Sequence, residues 1–358
     1  MPYDAVMKRA GSLLLVLSMC VLFFGCASTA AIRYSSVHTT EPQSIHWIEV
    51  DPGGVELVAV VARGQVLGKE TPSSMARRHD ADAAVNGGFF VVRGPFAGEF
   101  DGLFAWEGRI ISEPVHRRSS FAFCPDGRVW IDQFDLATVA HLGRTSVDVD
   151  GINRHRSREE AVLFTSEFGP TTINEGPELV VDEGRIVKLA DGGSRIPAGG
   201  FVLALSEPIP DVAPGTEVRL ENRLAARMSG ADIESDGCSI VSAGPALIRD
   251  GQVLDDYEAE SPKFGPGFSL KRHPRTAVGI REDGSLIFVV VDGRQEGLSV
   301  GMTLPELASF LKDKGAWDAY NLDGGGSSTM IVNGEVVNSP SDEQGERPSS
   351  DAIVIRIR

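Results

Sequence analysis

The chain has 358 residues, 42% of them apolar, 23% charged and 7% aromatic, with a formal net charge of −16. That composition excludes a disordered or collagen-like chain. So acidic a balance also argues against a nucleic-acid partner, because phosphate backbones would be repelled, and an anionic substrate would need a local cationic pocket.

The chain opens on a leader. Lys8 and Arg9 precede the apolar run AGSLLLVLSMCVLFFGC, which is short for a membrane span and has the layout of a secretory signal. Its Gly25–Cys26 end resembles a bacterial lipoprotein cleavage box. Residues 1–25 are therefore expected to be a lipoprotein-type signal peptide, with Cys26 as the lipidated first residue anchoring the protein to a membrane of the bacterial cell envelope. An ordinary signal cut near ASTA is the alternative; both readings export the protein. Residues 26–44 are small and polar with no apolar period, and are expected to be the lipid attachment and tether. Cys124 and Cys238 remain in the folded part, where an oxidising compartment permits a disulfide and two buried thiols are the alternative. No Cys-x-x-Cys pair and no histidine cluster occurs, so neither a metal site nor a cofactor is expected.

From IHWIEVD onward, short apolar runs alternate with turn dipeptides. FAWEGRII, FAFCPDGRVWI, VGIREDGSLIFVVV and MIVNGEVV read as hairpins, and their Asp-Gly and Asn-Gly pairs are strong turn signals. TPSSMARRHDA and MTLPELASFLKDKGAW read as helices. The second has Thr303 and Glu306 at capping-box spacing, an apolar face of Leu304, Leu307, Ala308 and Leu311, and Gly315 as its stop. The stretches from His116 to Asp132 and from His273 to Asp292 share a plan of basic cluster, strand, Asp-Gly turn and strand, which suggests a duplicated unit. Residues 133–240 are less legible, although GPELVVDEGRIVKL and PAGGFVLALS look like strands. The expected class is α+β: strand-rich, antiparallel or mixed sheets with a few flanking helices, in a single domain over residues 45–358.

The stretch NLDGGGSSTM, from Asn321 to Met330, raises a chemical question. Three consecutive glycines cost much conformational entropy, so either the chain bends sharply or something approaches its backbone. It is no Walker A loop, which needs Gly-Lys-Ser/Thr. After Asp323, the amides of Gly324 and Gly325 and the hydroxyls of Ser327, Ser328 and Thr329 could form an anion-binding nest, and a glycine-lined strand crossing is the alternative. Other patches carry similar chemistry. Asn86 and Gly87 lie in AVNGGFF, His273, Arg275 and Thr276 in HPRTAVG, Asp292 ends the apolar run VVVDGRQ, and Gly244 lies in SAGPALIRDG. A strand-end aspartate seldom sits buried without a task.

In this order, NGGFF, AGPALIRDG, HPRTAVGI, VVVDGRQ, GMTLPELASFL and NLDGGGSST resemble the phosphodiester glycosidase family. The resemblance covers roughly residues 45–358 and is thin over 133–240. It implies a mixed-sheet domain with glycine loops converging on one pocket that cleaves a sugar 1-phosphodiester or a related glycosidic bond in an envelope glycan or sugar phosphate. Arg275 would then clamp phosphate bidentately, and Asp323 and Asp292 would oppose an oxocarbenium-like transition state or activate water. His273 would carry a proton, or else cap its strand. Asn86, Gly87, Thr276, Gly244, Gly324, Gly325, Ser327, Ser328 and Thr329 would line the substrate, and Glu99 and Asp101 are further candidates for a second acid. An ordinary O-glycosidase and a non-catalytic glycan-binding lipoprotein are the alternatives.

Overall fold

The structure is a computed structural model that describes residues 31–358 apart from positions 116, 232, 234 and 235. Cys26 and the leader lie outside the described residues. No helix among the described residues is long and apolar enough to cross a membrane.

The turn dipeptides close hairpins as their chemistry requires. Phe104–Trp106 pairs with Arg109–Ser112, Ser119–Phe123 with Val129–Leu142, Arg275–Arg281 with Leu286–Val291, and Met330–Val332 with Glu335–Val336, all antiparallel. At the last of these both turn residues are left-handed, Asn333 with φ 50° and Gly334 with φ 82°, the geometry that matches the twist of the flanking strands. The two stretches of shared plan are both hairpins, but they lie in different sheets. The expected helices form as Pro72–Arg78 and Leu304–Asp313. The second carries the full Thr303–Glu306 capping box and buries Leu304, Leu307, Ala308 and Leu311.

Strands among the described residues build four sheets, so the strand-rich class with few helices holds. Pairing is almost wholly antiparallel, with Gly151–Ile152 against Val162–Leu163 as a parallel pair, within the antiparallel or mixed pairing expected. One expectation changes. The tether expected over residues 26–44 contains a strand, Ile32–His38, which pairs along its length with Ser44–Val50. As an edge strand it is mostly exposed, so it lacks the apolar alternation that reveals a strand in sequence.

Two sheets position the site. The first runs, in spatial order, Ile32–His38, Ser44–Val50, Leu286–Val291, Arg275–Arg281, Ala316–Asn321, Ala246–Arg249 and Gln252–Val253. The second runs Glu335–Val336, Met330–Val332, Ala83–Asn86, Asp351–Ile357 and Val55–Val61. Ile48, Phe288, Val278 and Tyr320 of the first share one apolar cluster with Val85, Ile353, Ile355 and Met330 of the second. The other face of the first sheet packs Ala277, Ile287, Val289 and Val291 against the helix Leu304–Asp313. Strand Leu286–Val291 is buried throughout, which explains its unbroken apolar run. The loop from Asp323 to Thr329 is the crossing between the two sheets.

The poorly legible segment forms a five-stranded sheet of Gly151–Ile152, Val162–Thr165, Phe201–Ala204, Pro177–Asp182 and Arg185–Asp191. Beside it, Val129–Leu142 pairs with Val218–Ala226. Cys124 and Cys238 form a disulfide with Cα atoms 4.1 Å apart, closing 114 residues of sequence. A loop of that length should make the oxidised protein about 2–4 kcal/mol more stable than the reduced one. Denaturant melts with and without reductant read this, and coincident curves would rule it out.

Candidate active site

Asn86 ends strand Ala83–Asn86 and is fully buried. Its Nδ2 donates to the Asp323 carbonyl at 2.7 Å. Its Oδ1 accepts from Thr276 Oγ1 at 2.8 Å and from the Thr329 amide at 3.1 Å. One side chain therefore holds both ends of the glycine loop and the strand Arg275–Arg281 of the neighbouring sheet. The Asp323 amide donates to the Gly87 carbonyl at 3.0 Å and the Leu322 amide to the Thr276 carbonyl at 2.9 Å, which completes the seam. Asn86 and Thr276 are thus bound to protein groups at this seam.

The glycines of the loop make room for the protein's own side chains. A Cβ on Gly326 would lie 2.1 Å from Arg347 Nη2 and from Asp342 Oδ1, and those two residues form a paired fork with contacts of 2.8 and 3.0 Å. A Cβ on Gly325, whose φ is 62°, would lie 3.0 Å from Arg294 Nη2. On Gly324 it would meet the Pro274 carbonyl at 2.9 Å. Most of the loop's amides are already used: Gly324 donates to Asp323 Oδ1, Gly325 to the Pro274 carbonyl, Ser327 to that of Gly324 and Ser328 to that of Gly325. The nest expected from the sequence therefore has few free amides to offer. The hydroxyls differ. Ser327 Oγ, Ser328 Oγ and Thr329 Oγ1 are buried and have no hydrogen-bond partner among the described residues, a costly arrangement unless a polar group reaches them.

Asp323 keeps a partly exposed surface at the mouth of this loop. Its carboxyl nonetheless sits deeply enough that burial pushes it up to about 6, against the opposing pull of Ser327, the Gly324 amide, Arg347 and Arg294. Ser327 Oγ is close enough to act on that carboxyl without reaching hydrogen-bond geometry. Behind Gly87 and Gly88 lies a second buried carboxyl, Asp351, which accepts from the Gly88 amide at 2.9 and 3.1 Å and from Ser350 Oγ at 3.0 Å. Burial raises it to about 7, and the negative charge of Asp323 adds to the rise. The repulsion registers on Asp351, whereas burial dominates on Asp323; both carboxyls move upward. A Cβ on Gly87 would meet Asp351 Oδ2 at 2.1 Å, so this glycine is required by a neighbouring carboxylate.

A cationic corner faces the same loop. Arg294 adopts a left-handed backbone, φ 59°, and its Nη2 donates to His273 Nδ1 at 3.2 Å. It is exposed and makes no salt bridge among the described residues. His273 is pushed below its ordinary value by burial and by the charges of Arg275, Arg294 and Lys271, so it is neutral at neutral pH. Arg275 is buried, with Nε donating to the Met302 carbonyl at 3.0 Å and Nη2 to those of Phe268 and Lys271 at 2.7 and 3.0 Å. The fork expected to grip phosphate is thus held by backbone. Its charge has no carboxylate partner, and burial together with Arg294 lowers it to about 10.

Asp292 belongs to a separate buried network. Its Oδ1 accepts from Asn338 Nδ2 and the Ser339 amide, both at 2.9 Å, and its Oδ2 lies 3.3 Å from His46 Nε2. Burial opposes its charge, but His46, Asn338 and Ser339 outweigh it and hold the carboxyl below the usual range. Asn338 also donates to the Ser328 carbonyl at 3.1 Å, so Asp292 steadies the far end of the glycine loop. Gly244, with φ 111°, packs against the Phe264 ring and exchanges hydrogen bonds with Asn321. Asp101 is bound by Arg118 and Lys263. Glu99 is raised to about 7 by burial and hydrogen-bonds the His155 amide, away from the loop.

Three residues at this site escape a reading of the sequence alone: Asp351, Arg294 and Arg347. Asp351 had a signal, an aspartate opening the apolar run AIVI. Arg294 stands two residues after Asp292. Arg347 lies in a polar loop without pattern.

Residues 179–356 match the phosphodiester glycosidase family model, so this part of the chain carries that family's domain. The mouse N-acetylglucosamine-1-phosphodiester alpha-N-acetylglucosaminidase is 35% identical over 103 residues, 29% of this chain and 20% of the mouse protein. The chain thus matches only about a fifth of that relative's length. An uncharacterised protein of Rickettsia conorii is 24% identical over 250 residues, covering 67% of this chain and 85% of its own. The crystal structure of a candidate exported protein from Burkholderia pseudomallei K96243 superposes with a TM-score of 0.78 at 28% identity, over 89% of this chain and 75% of that one.

Replacing Asn86 by alanine would leave the Thr329 amide and Thr276 hydroxyl unpartnered in the interior. A loss of about 2–4 kcal/mol is expected in denaturant melts, one to two such groups' worth of desolvation. A loss below about 1 kcal/mol would show that the seam does not depend on Asn86.

Proposed function

We propose that this protein is an exported glycosidase that hydrolyses a sugar 1-phosphodiester, with Asp323 as its catalytic carboxylate and Arg294 as its phosphate-binding group. The observation that carries the reading is a carboxyl raised to about 6 beside a guanidinium with no salt-bridge partner among the described residues. At neutral pH Asp323 is mostly ionised and faces the developing positive charge at the anomeric carbon. The bond from that carbon to the phosphate oxygen breaks, the phosphate monoester departs, and water adds to the carbon with its proton passing to a carboxylate. A phosphate monoester leaves with little acid assistance, so stabilising its charge matters more than protonating it. Arg294, the neutral ring of His273 and the field of the unpaired Arg275 supply that stabilisation. Asp351, closed off behind Gly87 and Gly88, is a positioning residue: it orders the turn by accepting from the Gly88 amide.

The family match and the relatives' names support the glycosidic class. The envelope location, the lipid on Cys26 and a catalytic domain that takes in the strand Ile32–His38 belong to the same proposal. They rest on the leader sequence and on the likeness to a candidate exported protein. One observation favours an ordinary O-glycosidase instead: the fork of Arg275 is spent on backbone carbonyls.

Kinetics on a sugar 1-phosphodiester and on a neutral aryl glycoside of the same sugar separate these readings. Asp323→Asn should lower kcat at least 100-fold, about 2.7 kcal/mol of barrier, with folding intact. Arg294→Gln should lower kcat/KM at least tenfold for the phosphodiester and less than twofold for the neutral glycoside. Because Asp323 must be ionised, wild-type kcat/KM should fall as pH drops through about 6. Equal effects of Arg294→Gln on both substrates would overturn the phosphate reading, and an active Asp323→Asn protein would overturn the assignment of Asp323.

A further inference from the structure

A cleft of about 570 Å³ lies away from the glycine loop, which contributes no residue to its lining. Phe96, His155, Arg156, Arg158, Asn174 and Glu175 shape it. Phe96 and His155 meet edge to face with ring centroids 4.9 Å apart and present an aromatic wall. Arg156 is half-buried, yet its guanidinium donates only to uncharged oxygens: Asn174 Oδ1 at 2.7 Å and the carbonyls of Glu175, Ser157, Arg158 and Glu160. A partly buried cation is ordinarily matched by a carboxylate. The guanidinium of exposed Arg158 makes no hydrogen bond or salt bridge among the described residues. Two uncompensated guanidinium groups therefore face one lining carboxylate, Glu175, in a protein whose net charge is −16.

This cleft is joined to the candidate active site by one hairpin. Gly88, bonded to Asp351, lies at its base. The Asp101 amide bonds the Phe89 carbonyl, the Val91 amide the Glu99 carbonyl, and Phe96 sits toward the tip. The eight steps along the chain from Gly88 to Phe96 span at most about 28 Å, a reach within an oligosaccharide. The Glu99 carboxyl, beside the His155 amide, is raised by burial to about 7, which lessens its repulsion of an anion at neutral pH.

We propose that the cleft between Phe96 and Arg158 is an accessory site for an anionic segment of a glycan, a sugar bearing carboxylate or phosphate, with the sugar face on the aromatic wall and its charge on Arg156 and Arg158. The identity of the ligand as carbohydrate rests on the glycosidase reading above; the anion requirement rests on the cleft itself. The segment held here is remote from the bond to be cut, so its binding contributes affinity and register rather than chemistry.

Calorimetric titration of the full chain tests this with an oligouronate, its carboxyl-reduced neutral counterpart and a phosphorylated oligosaccharide of matched length. One or both anionic probes should bind at least tenfold more tightly than the neutral one, and which of them does so identifies the charged group. Arg158→Gln and Phe96→Ala should each weaken that binding at least fivefold. Melting temperatures accompany both variants, and exposed Arg158 carries the test if Phe96→Ala is destabilised. Asp323→Asn should leave the affinity within twofold, and wild-type protein that binds the probe yet cleaves no sugar 1-phosphodiester condemns only the catalytic reading. The proposal is overturned if no probe binds, if neutral and anionic probes bind alike, or if binding survives both cleft variants and is lost in Arg294→Gln.

Discussion

The side-chain amide of Asn86 makes three hydrogen bonds at the seam between two sheets, and the candidate site depends on that junction. Its donor fixes the carbonyl of Asp323 and its acceptor fixes Thr276 and Thr329. Few other side chains could serve. An aspartate could not donate to the Asp323 carbonyl while ionised, and a glutamine would place the amide a methylene too far out. Strands distant in sequence end together here because Asn86, Arg275, Asn321 and Asp351 each lie at a strand terminus. The chemistry sits in the loops just beyond.

That seam explains the electrostatics. The sheets bury the backs of the loops, so Asp323 and Asp351 lose solvation and hold their protons more tightly than free aspartates. Arg294 and Arg275 bring positive charge without carboxylate partners, and His273 between them stays neutral. An acidic protein has thereby gathered a small cationic corner around one carboxyl. The glycines serve this packing. Gly87 admits Asp351, Gly325 admits Arg294 and Gly326 admits the Arg347–Asp342 fork.

The sequence made the hairpins and helices legible because their turns and caps are local chemistry. Asn333–Gly334 closes its hairpin with two left-handed residues, and Thr303 with Glu306 starts its helix. The edge strand Ile32–His38 was hidden, because one exposed edge needs no apolar alternation. At the site, motif and spacing pointed to the right loops but not to what each side chain does there. Whether Arg275 meets a ligand or three carbonyls is decided by residues 268–302 folding around it, which no local pattern announces. The role of Asp351 is not legible locally, because its partner, the Gly88 amide, is 263 positions away in sequence.

The fold raises the proton affinity of Asp323 by burial, and the charge of Arg294 is among the groups that restrain it. Carbon-13 NMR of the protein with labelled aspartate carboxyls, titrated in wild type and in Arg294→Gln, measures this directly. The Asp323 resonance should titrate near 6 in the wild type and higher once the Arg294 charge is removed. A midpoint near 4, unmoved by Arg294→Gln, would show that neither burial nor Arg294 sets the charge of Asp323.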